Sequence, residues 1–408
     1  MDLDAFSALL EPEGQRLLDG LRGYDPADEL AVATRLRREH PAELVSAALA
    51  QARLRQRAAA KFGAADAERM YFTPDGVEQS TRAVVAAHRA RRFAKEYGVR
   101  AVADLCCGIG GDAIALARAG VRVLAVDRSP LTCAVARANA EALGLDGLIE
   151  VRCEDVTEVP GEELAGYDAV FVDPARRGSP GGGRGKSGRI FDPEAYSPPL
   201  SWAVETARHF PYGALKVAPG IPHEALPEDA EAEWISDGGD VKEAVLWFGA
   251  GVRGGGVRAT LLPGGDALEG SGLPDPDPGP VGRYLYEPDG AVIRAHLVSE
   301  VAQRVDGRLI DPTIAYVTAD ALHPTPYASA YEITDQLPFN VKKLKALLRE
   351  RGVGVVTVKK RGSPVEPEEL RRKLKLQGQG PHACTVFLTR VDGAPTMLLG
   401  HPAGGSQQ

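Results

Sequence analysis

A chain of 408 residues is too long for one ordinary folding unit, so two or three are expected. Hydrophobic residues at 44% and charged residues at 25% are values of a soluble globular protein, which excludes wholesale disorder and fibrous repeats. A formal charge of −8 excludes a polycation that coats nucleic acid or an anionic membrane, so any basic surface must be local.

The opening segment MDLDAFSALLEPEG is acidic and lacks the basic-then-apolar pattern of a secretory signal, and no run approaches the roughly 18 apolar residues of a membrane span. A cytoplasmic protein with no membrane partner is therefore expected. Five cysteines, Cys106, Cys107, Cys133, Cys153 and Cys384, form no CxxC pair, and the eight histidines show no ligand spacing. Neither a disulfide scaffold nor a metal site is expected.

Residues 1–95 read as a helical region, rich in Ala, Leu, Arg and Glu with apolar positions at helical spacing, such as Leu30, Ala33 and Leu36. From Val99 the pattern changes to short apolar runs, VRAVADL, RVLAVD, IEVRCED, YDAVFVD and GALKVA. These suit strands buried on both faces. Amphipathic stretches at 112–119, 130–143 and 199–208 intervene. Alternating strands and helices predict a doubly wound, Rossmann-like α/β sheet over 96–263. The segment EAEWISDGGDVKEAVLWFG predicts two strands joined at Asp237-Gly238-Gly239-Asp240, so the sheet is expected to have seven strands with the last pair antiparallel.

Residues 264–282 are rich in Gly, Pro and Asp and read as a linker. A small α+β unit is expected over 283–337. A second, over 338–400, follows a helix-strand-helix-strand-strand order. Residues 341–380 carry 12 Lys or Arg against 4 Glu, a local excess of positive charge in an acidic chain. Such asymmetry points to a surface that faces a polyanion; a solvated helix face with long basic side chains is the plainer alternative.

The strongest local signal is Asp104-Leu105-Cys106-Cys107-Gly108-Ile109-Gly110-Gly111-Asp112, set between a predicted strand and a helix. Glycines let the backbone turn tightly and approach a ligand, and a helix N-terminus offers free amides and partial positive charge. Asp127, followed by Arg128, ends the next strand, where a carboxylate can accept the two hydroxyls of a ribose. Asp155 and then Asp173-Pro174 close the third and fourth. All lie at carboxyl ends of strands, where open α/β sheets bind ligands. The spacing also fits a dinucleotide fingerprint for NAD. Asp104 beside the loop, however, suits a cationic amino-acid group and not a pyrophosphate, and the terminal hairpin closes methyltransferase sheets. S-adenosylmethionine is the cofactor these features favour, with Asp173-Pro174-Ala175-Arg176 where a methyl acceptor would be presented.

These motifs, together with Tyr71-Phe72-Thr73-Pro74-Asp75-Gly76-Val77-Glu78-Gln79, VFVDPARR at 170–177, GVVTVKKRG and KLKLQG, resemble the class I methyltransferases that carry a THUMP-like C-terminal domain. The Thr-Pro before the helix and the D-x-x-C-G-x-G-G loop are also similar to trimethylguanosine synthases. The resemblance implies a methyltransferase acting on RNA.

In the expected arrangement, Gly108, Gly110 and Gly111 contact the methionine and ribose region of the cofactor, with Cys106 and Asp112 in the same loop and Arg128 nearby. Asp104 takes the ammonium, Asp127 the ribose diol and Asp155 the adenine amine. Asp173 is the candidate catalytic group, accepting a hydrogen bond or proton from the acceptor, flanked by Pro174 and Arg176. Methylases of exocyclic amines are similar but place an aromatic after Asn/Asp-Pro-Pro, whereas Ala175 and Arg176 stand here. DPAR resembles the motif of RNA uracil-C5 methyltransferases, yet the thiol those use after the fifth strand is absent from Lys216-Val217-Ala218-Pro219-Gly220. Cys106 and Cys107 are expected as small buried residues.

Arg177, Arg184, Lys186 and Arg189, in a Gly-rich stretch after Asp173, and Lys359, Lys360 and Arg361 are the candidate RNA-binding residues. Two other readings stay open: a methyltransferase acting on a protein or small molecule, and an RNA-binding protein on a methyltransferase fold that has lost turnover.

Overall fold

The structure, a computed structural model, describes residues 1–175, 192–376 and 380–404. The chain forms two compact units, one of residues Met1–Glu231 with Glu243–Gly255, the other of Ala232–Lys242 with the chain from Gly256 onward.

The first unit begins with helices, of which Ala42–Phe62 is the longest. Leu44, Val45, Ala48, Leu49, Ala52 and Phe62 form its buried stripe, and Gly63, at φ 81°, ends it. The sheet follows: β1 (Ala101–Leu105), β2 (Arg122–Asp127), β3 (Ile149–Cys153), β4 (Ala169–Val172) and β5 (Tyr212–Val217). These run parallel in the order β3-β2-β1-β4-β5, with every residue of β1 and β4 buried. β6 (Glu231–Asp237) and β7 (Asp240–Gly249) are joined where Gly238 and Gly239 both adopt positive φ, 62° and 86°, the requirement of a two-residue hairpin turn. β7 lies antiparallel to β5. The Rossmann-like α/β class expected from the alternating pattern is the one formed.

In the second unit β6 pairs in parallel with β8 (Val257–Leu262), and β8 pairs antiparallel with β9 (Asp266–Glu269). β9 falls inside the stretch expected as a linker. Its Leu268, 1% exposed, supplies the apolar contact that composition alone obscured. Seven strands form a further sheet: β10 (Tyr284–Pro288), β11 (Arg308–Leu309), β12 (Val317–Ala319), β13 (Ala328–Pro338), β14 (Val353–Lys360), β15 (His382–Val391) and β16 (Ala394–Pro402). Their order is β11-β12-β10-β13-β16-β15-β14. The pieces expected as separate units over 283–337 and 338–400 thus share one sheet, because β13 pairs with β10 on one edge and β16 on the other. The helices Val341–Glu350 and Pro367–Leu374 bury Leu344, Leu348, Leu370 and Leu374 against one face of this sheet, while Phe387 and Leu398 pack on the other.

No described helix is long and apolar enough to cross a membrane. Among the described residues no group of three His, Cys, Asp or Glu is placed to hold a metal.

Candidate active site

The registers of the first sheet bring its acidic rim together. Leu105, Val172 and Leu215 are in register, so Asp104, Asp173 and Lys216 sit one step from that line at the carboxyl ends of β1, β4 and β5. Side chains alternate along a strand, and this parity puts Asp104, Phe171, Asp173 and Lys216 on one face. On β7, Val217 opposes Ala244, so Glu243 joins the same rim.

Between β1 and the helix Gly111–Arg118 the glycine loop is held open by its own backbone. Gly108 and Gly110 adopt φ of 57° and 87°, and Cys106, a residue with a Cβ, is also left-handed at 68°. Such a conformation costs about 1–2 kcal/mol in a non-glycine residue, and strain of this kind collects at ligand sites. A side chain at Gly108 would meet nothing within 4 Å, so the loop leaves space for a ligand there. Asp127 is tied into the loop: the Gly108 N–H donates to its Oδ2 at 3.1 Å and the Ser129 N–H to Oδ1 at 2.9 Å. A carboxylate has about four acceptor sites, so it can still take hydroxyl donors.

Beneath the loop lies a buried charge cluster. Arg89, 1% exposed, pairs with Asp112 and Glu243 and stacks on Phe171 at 4.3 Å. Burial alone would lower the pKa of this guanidinium, but the two carboxylates outweigh burial and hold it above the ordinary value. Lys216, also buried, donates to Asp173 Oδ2 at 2.6 Å and to Thr81 Oγ1 at 3.0 Å. Asp104 is different. Fully buried, it has no hydrogen-bond partner among the described residues on either carboxylate oxygen, and burial first, then Asp112 and Asp173, push its pKa well above the usual carboxylate range. Among the described residues, four acids thus face two cations, Arg89 and Lys216, and the unsatisfied acid lies at the glycine loop. A cationic ligand group completes such a site. With the open space at Gly108, this fits the ammonium end of S-adenosylmethionine.

The N-terminal helices reach the same place. The extended strap before the helix Pro74–Gln79 is held by a buried amide: Asn139 accepts from the Tyr71 N–H at 2.6 Å and donates to the Tyr71 carbonyl at 3.1 Å and the Ile109 carbonyl at 3.0 Å. Asn139 therefore couples the strap to the glycine loop. Thr73 caps that helix, and Thr81 follows it.

The candidates picked from the sequence fall as follows. Asp104, Gly108, Gly110, Gly111 and Asp127 surround the loop. Asp112 is in the loop's helix, but its carboxylate engages Arg89. Arg128 is exposed. Asp155 closes a turn with Thr157, accepting from its hydroxyl at 2.7 Å and its amide at 3.0 Å, and these bonds lower its pKa. Burial pushes the Cys106 and Cys107 thiols well above their usual range, which keeps them neutral and unsuited to nucleophilic attack. Pro174 is buried, and Ala175 is pinned by a two-bond bridge to Ser197. Arg176, Arg177, Arg184, Lys186 and Arg189 lie outside the described residues.

In the second unit Lys359 pairs with Glu287 and lies over the Tyr331 ring, Lys360 pairs with Glu366, and Arg361 lies over Tyr316. All three are held by contacts inside that unit. Sequence reasoning missed Lys216, Arg89, Glu243, Thr81 and Asn139. The signal for Lys216 was available, since a lysine inside the run GALKVA, otherwise apolar, has to be paired.

A family model described as a methyltransferase domain matches residues 102–175, one described as THUMP domain-like matches 328–402, and one for a domain of unknown function matches 2–58. Over 347 residues, 83% of this chain and 90% of the relative, the sequence is 35% identical to an uncharacterized S-adenosylmethionine-dependent methyltransferase of Mycobacterium tuberculosis (strain H37Rv). It is 34% identical over 117 residues to a 23S rRNA (uracil(1939)-C(5))-methyltransferase of Burkholderia pseudomallei (strain K96243), covering 27% of this chain and 25% of that protein. The crystal structure of a putative methyltransferase from Porphyromonas gingivalis W83 has a similar fold, with a TM-score of 0.74, 21% identity, and coverage of 94% of this chain and 100% of that one.

Proposed function

The chain belongs to the S-adenosylmethionine-dependent methyltransferases, and from that premise we propose that its methyl acceptor is a base of structured RNA, tRNA or rRNA. One observation carries this reading. Lys342, Lys343, Arg349, Arg372 and Lys375 are exposed and make no ion pair among the described residues. The helices Val341–Glu350 and Pro367–Leu374, whose apolar faces are buried, thus turn unpaired cations to solvent. In an acidic protein, that arrangement suits a phosphate backbone. The partial likeness to a 23S rRNA methyltransferase supports it. These cations extend the basic set expected at Lys359, Lys360 and Arg361, and the Arg-rich stretch after Asp173 adds Arg177, Arg184, Lys186 and Arg189.

When bound, S-adenosylmethionine supplies a methyl group activated by its sulfonium. The chain's own residues bind and orient. Asp104 takes the ammonium, the Gly108–Gly111 backbone lines the cofactor, and Asp127 accepts the ribose hydroxyls. Asp173 holds the acceptor through its hydrogen or takes its proton, with Pro174 next to it in the chain. A base held this way is worth about 10²–10⁴-fold in rate.

The test is methyl transfer from labelled cofactor to total RNA of a strain lacking the gene, with nucleosides of both strains compared by mass spectrometry. One methylated nucleoside restored only by the active protein is expected. Label found in protein or small molecules and absent from RNA would overturn the assignment. Replacing Lys342, Lys343, Arg349 and Arg372 by alanine should flatten the salt dependence of RNA binding, by roughly 0.7–0.9 in log–log slope for each lost phosphate contact, the range from single strand to duplex.

A further inference from the structure

Lys216 serves no purpose in the reading above, yet its place in the fold is costly. An ammonium on β5, in a strand where all but one residue are buried, must shed most of its water, whereas an apolar residue at that position would not. Its Nζ is satisfied by Asp173 Oδ2 and Thr81 Oγ1. The side chain is 5% exposed against 23% for Asp173, so the ammonium approaches the carboxylate from the protein side and leaves the outer side open. Asp173 Oδ1 makes no hydrogen bond among the described residues. Thr81, on the segment between the helices Pro74–Gln79 and Ala83–Arg91, fixes the ammonium from a second direction. Asp104, Asp112 and Glu243 crowd the same region, and among the described residues Lys216 and Arg89 are the cations set against them.

We propose that Lys216 is a positioning residue for methyl transfer: clamped by Thr81, it holds the Asp173 carboxylate aimed at the acceptor. The inference rests on Asp173 being the group that meets the acceptor. It also makes the N-terminal helical region part of the active site, because Thr81 belongs to it.

The experiment uses the full chain, labelled cofactor and total RNA from a strain lacking the gene. Lys216→Ala should lower kcat by roughly 10–100-fold, less than the roughly 10²–10⁴-fold of a general base itself, since Lys216 acts through Asp173. KM for RNA and calorimetric affinity for S-adenosylmethionine should move less than about threefold, roughly half of the 1.4 kcal/mol that a tenfold step represents. Ethylamine should restore part of the lost rate, and Lys216→Arg should retain more activity than Lys216→Ala. Thr81→Val should lower kcat by several-fold. Once Asp173 is replaced by Asn, adding Lys216→Ala should cost nothing further, since a residue acting through another loses its effect with it. Full activity of Lys216→Ala, or an undiminished further loss on the Asp173→Asn background, overturns the proposal while leaving Asp173 in place. Undiminished transfer by Asp173→Asn overturns the reading of Asp173 itself. Should Lys216→Ala fail to fold, Thr81→Val and Lys216→Arg carry the same comparison.

Discussion

Asp104→Asn tests the reasoning about the cofactor site most directly. The wild-type carboxyl is buried without a partner, and its pKa lies well above the usual carboxylate range because of burial and the neighbouring Asp112 and Asp173. In the cofactor-free protein burial shifts this carboxyl toward its neutral form, and docking an ammonium against it shifts it back toward the charged form. A charge-assisted hydrogen bond contributes about 1.5–3 kcal/mol, so Asn should weaken S-adenosylmethionine binding roughly 10- to 150-fold. Wild-type affinity should fall as pH drops below the raised folded value, by at most about a factor of ten per pH unit, one proton being involved. Isothermal titration calorimetry in phosphate and in Tris reads that proton directly, and the buffer difference should vanish in Asp104→Asn.

Stability of the cofactor-free protein follows the same linkage. The folded value exceeds the unfolded one, so the contribution is fully present below the unfolded value and is lost as pH rises through the folded value. The slope is at most about 1.4 kcal/mol per pH unit. Binding by Asp104→Asn within twofold of wild type, with the same buffer dependence, would refute the idea that Asp104 receives a cation.

Three further outcomes are expected. Arg89→Met strands Asp112 and Glu243 and should lower the unfolding free energy in urea by about 3–5 kcal/mol; a neutral effect would mean those acids do not need the guanidinium. Asn139→Ala leaves backbone groups of Tyr71 and Ile109 without partners, at roughly 1–3 kcal/mol each, and should weaken cofactor binding through the loop as well as stability. Gly108→Val places a β-branched residue at φ 57° and should destabilise by about 1–2 kcal/mol. Its side chain enters the open space at the loop, so the loss of cofactor affinity measured by calorimetry should exceed what the change in melting temperature suggests.

The Asp104–Asp112 loop, the strand-end acids Asp127, Asp155 and Asp173, and the strand-helix alternation were legible in the chain because each depends on neighbours within a few residues. Local spacing alone sets a glycine turn, a two-residue period or a strand that ends in an acid. What pairs with Asp173 was not legible. Lys216 is 43 residues away from it and 135 from Thr81, and only strand register and the return of the N-terminal helices bring both within hydrogen-bond reach of the lysine ammonium. The basic surface divides in the same way. Composition locates the excess of Lys and Arg in 341–380, but which of those cations are free is decided by partners such as Glu287, placed by the sheet, and Glu366, at the start of the helix Pro367–Leu374. The type of ligand follows from residues close together in sequence. Whether a given charge is available to that ligand depends on what packs against it, and packing is settled only when distant segments meet.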